Sequence, residues 1–237
     1  IKYIEEQKRS LDQEKRLWNS LPGTQKEGEY IAQITNAKLL LGDEASSINI
    51  QNTQSPKILH IATHSFYMTN NSKDDIFASI LFSGSETENI KKLENPLLRS
   101  GIVLAGANNP DKNIYDDGYL TALEVSKLNW NNTELVVISG CESGQGEIKA
   151  GEGVYGLKRA IAVAGARSSL LSLWEVDDRA TAEFMETFYK KLKNGEGRAD
   201  ALAKTQKEFR RHSIQSWRHP YVWAAFQLSG DWRPINW

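Results

Sequence analysis

The sequence predicts an α/β fold in which a mostly parallel central sheet is covered by helices on both faces. Short runs of nearly continuous apolar residues, such as 135–138 and 170–174, are typical of strands that are buried on both faces, as in parallel sheets. These runs alternate along the chain with longer segments of helical character. Such alternation indicates helices packed on both sides of one sheet, in a three-layer sandwich.

The individual elements follow from the same patterns. Strands are predicted at 57–63, 78–83, 101–106, 134–139, 168–174 and 222–229, and helices near 30–40, 121–128, 152–164, 178–193 and 199–212. Gly165 and Gly195 come after two of these helices, where glycine commonly ends a helix. The polar stretches 68–75 and 83–95 are expected to be surface loops.

The first 19 residues are predicted to form a highly charged helix. Ile4, Leu11 and Trp18 are spaced seven apart, and Glu5–Arg9 is a possible i,i+4 ion pair. This helix could dock on its own domain, or it could be the last helix of a preceding helical-repeat array, and both interpretations stay open. We expect residues 1–30 to be this helix and a linker, and residues 31–237 to be the main domain.

Composition narrows the function. The net charge of −1 over 237 residues offers no electrostatic footprint for nucleic acid, and no apolar run approaches the length of a membrane span. A single cysteine cannot form an internal disulfide, and a reducing compartment would keep it active, so we expect a cytoplasmic protein. The chain begins with Ile1 rather than Met, as expected of a fragment of a longer protein.

A histidine and the cysteine each lie where a predicted strand ends. His64 ends the strand at 57–63, and Cys141 follows the strand at 134–139. In α/β sheets the carboxyl ends of strands open onto one crevice, and a thiol near an imidazole is an activated nucleophile. This pairing predicts a cysteine hydrolase. His60 lies on the same strand and could also be the partner, although its neighbours Leu59 and Ile61 are typical of a buried histidine.

Seven motifs in order resemble the CHAT domain, a caspase-like peptidase family associated with tetratricopeptide repeats and related to separases. The resemblance covers roughly residues 39–233. It is carried by ILHIATHS at 58–65, NPLLRSGIVLAGAN at 95–108, DGYLT at 117–121, ISGCESGQG at 138–146, GEGVYGL at 151–157, SLWEVDD at 172–178 and HPYVWAAF at 219–226.

The resemblance implies a caspase-like sandwich and a cysteine endopeptidase. It implies that Cys141 attacks the substrate carbonyl, that His64 is the general acid and base, and that the backbone amides of Ser65 and Cys141 form the oxyanion hole. Ser65 replaces the family's usual glycine, and Gly140 its usual alanine, but neither change removes a reacting group. The implied partners are a protein substrate and a helical-repeat region in cis or a regulatory protein.

Three carboxylates follow the strand at 168–174. Asp177 or Asp178 suits the N-cap of the helix at 178–193, and the cluster with Glu175 suits a pocket for a cationic side chain, ideally arginine. By its resemblance to separases, one of the three would bind a P1 arginine. The residues do not decide which one.

Other classes of site have weaker support. Gly151, Gly153 and Gly156 match a dinucleotide-binding pattern, but eleven residues separate them from the preceding strand, where the pattern requires direct succession. The histidines and the cysteine are too scattered for a metal site, so no metal or cofactor is expected. The alternatives to a peptidase are a catalytically silent interaction scaffold and a nucleotide-binding domain.

Overall fold

The computed structural model describes residues 17–67, 96–109, 116–140 and 150–237. The strands in these ranges, numbered along the chain, are β1 Ile58–Ile61, β2 Ser65–Tyr67, β3 Ser100–Val103, β4 Tyr119–Thr121, β5 Leu135–Ile138, β6 Ser168–Ser172 and β7 Phe226–Gly230. The helices are α1 Pro22–Thr35, α2 Ser47–Gln51, α3 Ala122–Val125, α4 Ala150–Val163, α5 Asp178–Lys193, α6 Arg198–Phe209 and α7 Pro220–Trp223.

The central sheet has the strand order β1–β5–β6–β7. The pairs β1–β5 and β5–β6 are parallel, and β7 runs antiparallel to β6. The predicted mostly parallel sheet is therefore confirmed, with one antiparallel strand at its edge.

Both faces of this sheet are buried. Along β5, Leu135 and Val137 join one core cluster, whereas Val136 and Ile138 join the other. Side chains alternate between faces along a strand, so an unbroken apolar run is what a doubly covered strand needs. Helices α1, α5 and α6 cover one face, and α2, α3, α4 and a second sheet cover the other. This is the predicted three-layer arrangement, and it is consistent with a caspase-like fold.

The second sheet was not predicted. It is antiparallel, with the order β2–β3–β4, and it contains the strand predicted at 101–106. The chain leaves the central sheet after Ile61 and enters the second sheet at Ser65. Strand β1 therefore ends two residues before the predicted end at residue 63, and His64 lies on a short crossing between the sheets.

Most helices match their predicted positions, and α5 has the predicted bounds. The helix predicted near 30–40 instead spans Pro22–Thr35, because Pro22 occupies the first turn, where its missing N–H costs nothing. Asn36 ends this helix in the left-handed conformation, with φ of 56°. The strand predicted from residue 222 starts at Phe226, because residues 220–223 form the single helical turn α7.

Several predicted features lie outside the described residues: the strand at 78–83, the loops at 68–75 and 83–95, and residues 1–16 of the N-terminal helix. Residues 17–20 are described and form neither helix nor strand. Helix α1 runs across residue 30, the expected end of the linker. Within the described ranges, no helix combines the length and apolar character needed to cross a bilayer.

Candidate active site

The register of the central sheet aligns the two predicted catalytic positions. Ile61, at the end of β1, pairs with Ile138, at the end of β5. His64 and Cys141 each come three residues after this pair in the sequence. Cys141 itself is outside the described residues, but the chain is described up to Gly140 on its N-terminal side.

The two strands stay close beyond their last paired residues. The amide of Ser139 donates a hydrogen bond of 3.1 Å to the carbonyl of Ile61. A Cβ atom placed on Gly140 would lie 1.4 Å from the carbonyl oxygen of Thr63. The residue before Cys141 is therefore in backbone contact with the residue before His64, and only glycine fits this approach.

His64 is oriented by a backbone carbonyl. Its Nε2 lies 2.8 Å from the carbonyl oxygen of Asn19. Because a carbonyl can only accept, Nε2 carries the hydrogen, and Nδ1 of the neutral ring is then the acceptor. Nδ1 is buried and has no hydrogen-bond partner among the residues that the structure describes. The ring therefore has one nitrogen fixed and one available for proton transfer.

Trp18 covers the imidazole of His64. The two ring centroids are 5.3 Å apart, and the indole is 91% buried, with Nε1 donating to the hydroxyl of Tyr119 at 3.0 Å. Ile4, Leu11 and Trp18 are the apolar positions predicted on the N-terminal helix. Of these three, Trp18 is the one in the described residues, and it packs against its own domain. Sequence reasoning missed Asn19, because a backbone acceptor leaves no trace in residue type.

The amide of Ser65, a predicted oxyanion donor, lies at the start of β2. Ser65 is paired with Ile102 of β3, and the preceding pair is joined by a bond from the amide of Val103 to the carbonyl of His64. Antiparallel ladders alternate bonded and non-bonded pairs, so Ser65 falls on a non-bonded pair. Its N–H therefore points away from β3, in the direction where an oxyanion donor would be free to act.

His60 has a different environment. Its Nε2 lies 2.7 Å from Glu27 Oε1 of α1, its Nδ1 lies 3.1 Å from the Tyr189 hydroxyl of α5, and the side chains of His60 and Glu27 are 9% and 1% exposed. Burial, and secondarily the charge of Glu27, raises the pKa of Tyr189 well above its ordinary value. Both ring nitrogens are occupied, so His60 is the buried structural histidine that its neighbours predicted.

The three predicted acidic residues follow β6, which neighbours β5. Asp177 is the N-cap of α5 and accepts from the amide of Ala180 at 2.9 Å, which confirms the capping role predicted for one of the two aspartates. Asp178 accepts from the amide of Gly23 in the first turn of α1, where a negative charge is favourable. Glu175 is exposed and has no hydrogen bond or ion pair within the described ranges.

The remaining candidate motifs have structural positions. The Nδ1 of His219 caps α7 by accepting from the amide of Tyr221 at 3.2 Å. His212 pairs with Glu183 at 2.7 Å. The glycines of the dinucleotide-like pattern lie within α4, twelve or more residues beyond the end of β5. No cluster of three potential metal ligands occurs in the part of the chain that the structure describes.

Comparison with known proteins shows the family of this chain. The family model of the CHAT domain matches residues 5–231. Tetratricopeptide repeat protein 28 of Homo sapiens is 28% identical over 227 residues, and its Mus musculus counterpart is 26% identical over 228 residues; each match covers 93% of this chain. The chain spans 9% of the length of these curated relatives. With a family model that matches nearly its whole length, the chain belongs to the CHAT domain family.

Proposed function

We propose that the chain is a cysteine endopeptidase with Cys141 as nucleophile and His64 as general acid and base. The observation that carries this proposal is the register of β1 and β5, which gives the two residues equivalent positions beyond neighbouring strand ends. The contact between Gly140 and Thr63 supports the proposal, because it keeps the two chain segments together up to the residues before the proposed dyad.

The chemistry follows from the tautomer of His64. With Nε2–H bonded to Asn19, Nδ1 accepts the proton of the Cys141 thiol, and the thiolate attacks the substrate carbonyl. The amides of Ser65 and Cys141 stabilise the oxyanion of the tetrahedral intermediate. His64 then returns the proton from Nδ1 to the leaving amine, and water hydrolyses the acyl-enzyme.

Glu175 is the residue that we propose binds a basic P1 side chain of the substrate. Strands β1, β5 and β6 are consecutive in the sheet and parallel, and His64, Cys141 and Glu175 follow these strands in the sequence. This order supports the proposal that the three residues share one edge of the sheet. Asp177 and Asp178 already accept structural hydrogen bonds. Glu175 is the one of the three carboxylates left available for a ligand, and a guanidinium is its best partner.

Control by a helical-repeat region in cis, or by a partner protein, is the second part of the proposal. The matched relatives are named for tetratricopeptide repeats, and this chain covers 9% of their length. In this chain, residues 17–19 lie on the catalytic histidine, and they continue directly from residues 1–16. A preceding region that shifts residues 17–19 would therefore change the environment of His64.

The decisive experiment is labelling with an arginyl chloromethyl ketone, followed by mass-spectrometric mapping. The peptidase proposal expects modification of Cys141 that is lost in His64→Ala and retained in a His212→Ala control. A folded protein that is never modified at Cys141, with or without its preceding region, would instead support the alternative of a catalytically silent interaction scaffold.

A further inference from the structure

We propose that Asn108 is a positioning residue for His64 and acts through the backbone of Trp18 and Asn19; its effect on turnover rests on the peptidase function proposed above. Asn108 lies in the turn after β3, and in the part of the chain that the structure describes its side chain bonds to Trp18 and not to His64. Its carboxamide nevertheless holds the segment that supplies the acceptor for the imidazole.

The carboxamide of Asn108 binds the main chain of Trp18 at two points. The amide of Trp18 donates to Asn108 Oδ1 at 2.8 Å, and Asn108 Nδ2 donates to the carbonyl of Trp18 at 2.9 Å. This is the pattern that a neighbouring strand would provide, and residues 17–20 belong to no helix or strand. Two bonds from one planar group fix both the position and the orientation of the peptide.

The fixed peptide leads directly to the catalytic histidine. The carbonyl of Asn19 accepts from His64 Nε2 at 2.8 Å. Asn19 directly follows Trp18, whose own carbonyl is bonded by Asn108. The same turn also supports the Trp18 side chain, since Tyr119 accepts from the indole and donates to the carbonyl of Ala107 at 3.4 Å. Residues 107 and 108 therefore anchor both the main chain and the ring that lie on His64.

Loss of one of the two hydrogen bonds between Asn108 and Trp18 should position the Asn19 carbonyl less firmly without removing it as the acceptor for His64. In Asn108→Asp, Oδ1 still accepts from Trp18, but the second oxygen faces the carbonyl of Trp18 with no hydrogen to share. Neutral His64 then loses its preference for the Nε2–H form, and Nδ1 is less often the free acceptor. Misorientation of a catalytic group typically reduces kcat by about tenfold to a hundredfold.

The experiment compares wild type, Asn108→Asp and Asn108→Ala with the control Asn109→Asp, an identical change at the adjacent exposed residue. The first measurement is kcat and KM on an arginyl peptide, well below the lowest melting temperature. The second is ¹⁵N NMR of the imidazoles above neutral pH. The chain has four histidines, and the His64 signals are identified by their loss in His64→Gln.

We expect both Asn108 variants to lower kcat with little change in KM and to mix the His64 tautomers, while Asn109→Asp matches wild type. If the Asn108 variants also match wild type in both measurements, the inference is wrong. If wild-type protein turns over no peptide and Cys141 resists labelling, the peptidase proposal fails, and the tautomer measurement alone then decides: mixing in the Asn108 variants upholds the positioning role, and unchanged spectra overturn it.

Discussion

Gly140 and Thr63 meet backbone to backbone, so closely that a Cβ atom on Gly140 would lie 1.4 Å from the carbonyl oxygen of Thr63. This contact joins the chain segments that end in Cys141 and His64. A single substitution at Gly140 can test this contact.

We expect Gly140→Ala to separate the two strand ends, because the new methyl group overlaps a carbonyl that the sheet holds in place. Forcing extra volume into a packed site typically costs about 1–3 kcal/mol of unfolding free energy, and labelling of Cys141 should slow markedly. Urea unfolding and labelling rates measure the two effects. Gly28→Ala in helix α1 is the control, because the nearest atom to its new Cβ is the end of the flexible Leu39 side chain and alanine suits a helix. Equal labelling in both variants would contradict the proposed proximity.

Cys141→Ala and His64→Ala should each abolish proteolysis, and the double variant should be no worse than either one, because the two groups act as a unit. Peptide turnover measures the losses, and thermal unfolding checks that the fold persists. His60→Ala provides the contrast. If it abolished turnover with an unchanged melting temperature while His64→Ala stayed active, the assignment of the catalytic histidine would be wrong.

Glu175→Gln should reduce kcat/KM for P1 arginine substrates, because a bound guanidinium loses its charged partner, with a typical cost of about 2–5 kcal/mol. Profiling with a peptide library measures the preference. Asp177→Asn retains a capping oxygen for α5 and serves as the control, since its preference for arginine should remain. A wild-type preference for P1 aspartate would exclude an acidic P1 pocket.

Glu27→Ala should lower the unfolding free energy by about 1–3 kcal/mol, because it leaves a buried hydrogen-bonding group without its partner. The variant leaves His60 Nε2 without its 2.7 Å partner. Glu27→Gln keeps an oxygen at that position and should cost less. Urea unfolding followed by circular dichroism tests the order of the two variants, and equal stability of Glu27→Ala and wild type would refute this role.

Asp231 should make the stability of the fold sensitive to acid. Hydrogen bonds from Arg233, with a smaller contribution from the charge of Arg198, hold the pKa of Asp231 well below its ordinary value. A depressed folded-state pKa stabilises the protein above the unfolded pKa, near 4, and this stability is lost as the pH falls below that value. Asp231→Asn should therefore melt lower than wild type at neutral pH, and the difference should shrink below about pH 4.

The sequence predicted those parts of the fold that periodicity encodes. Continuous apolar runs identified β1, β5 and β6, and the amphipathic pattern with Asp177 at its start identified α5. The second sheet was not predicted because β2 and β4 contain three residues each, which is too few to give a periodic sequence pattern. Helix α1 was displaced because Pro22 and Gly23 resemble a break, although proline is well tolerated in the first turn of a helix.

The candidate site was predictable where residue chemistry marks it. His64 and Cys141 stand out because reactive side chains follow buried strands, and Glu175 stands out as a carboxylate in a third equivalent place. The environment of these residues was not predictable. The acceptor for His64 is the main-chain carbonyl of Asn19, and the hydrogen bonds of Asn108 join it to Trp18, 90 positions away. Neither interaction follows from a local sequence pattern.

The pairing of β1 with β5 also has a kinetic consequence. Residues that pair between these strands are 77 positions apart, and parallel pairing over such a distance forms slowly, because a long loop must close before any contact compensates its entropy. A chain still emerging from the ribosome carries the histidine long before the cysteine is available to meet it. The proposed dyad is thus assembled only when the central sheet closes.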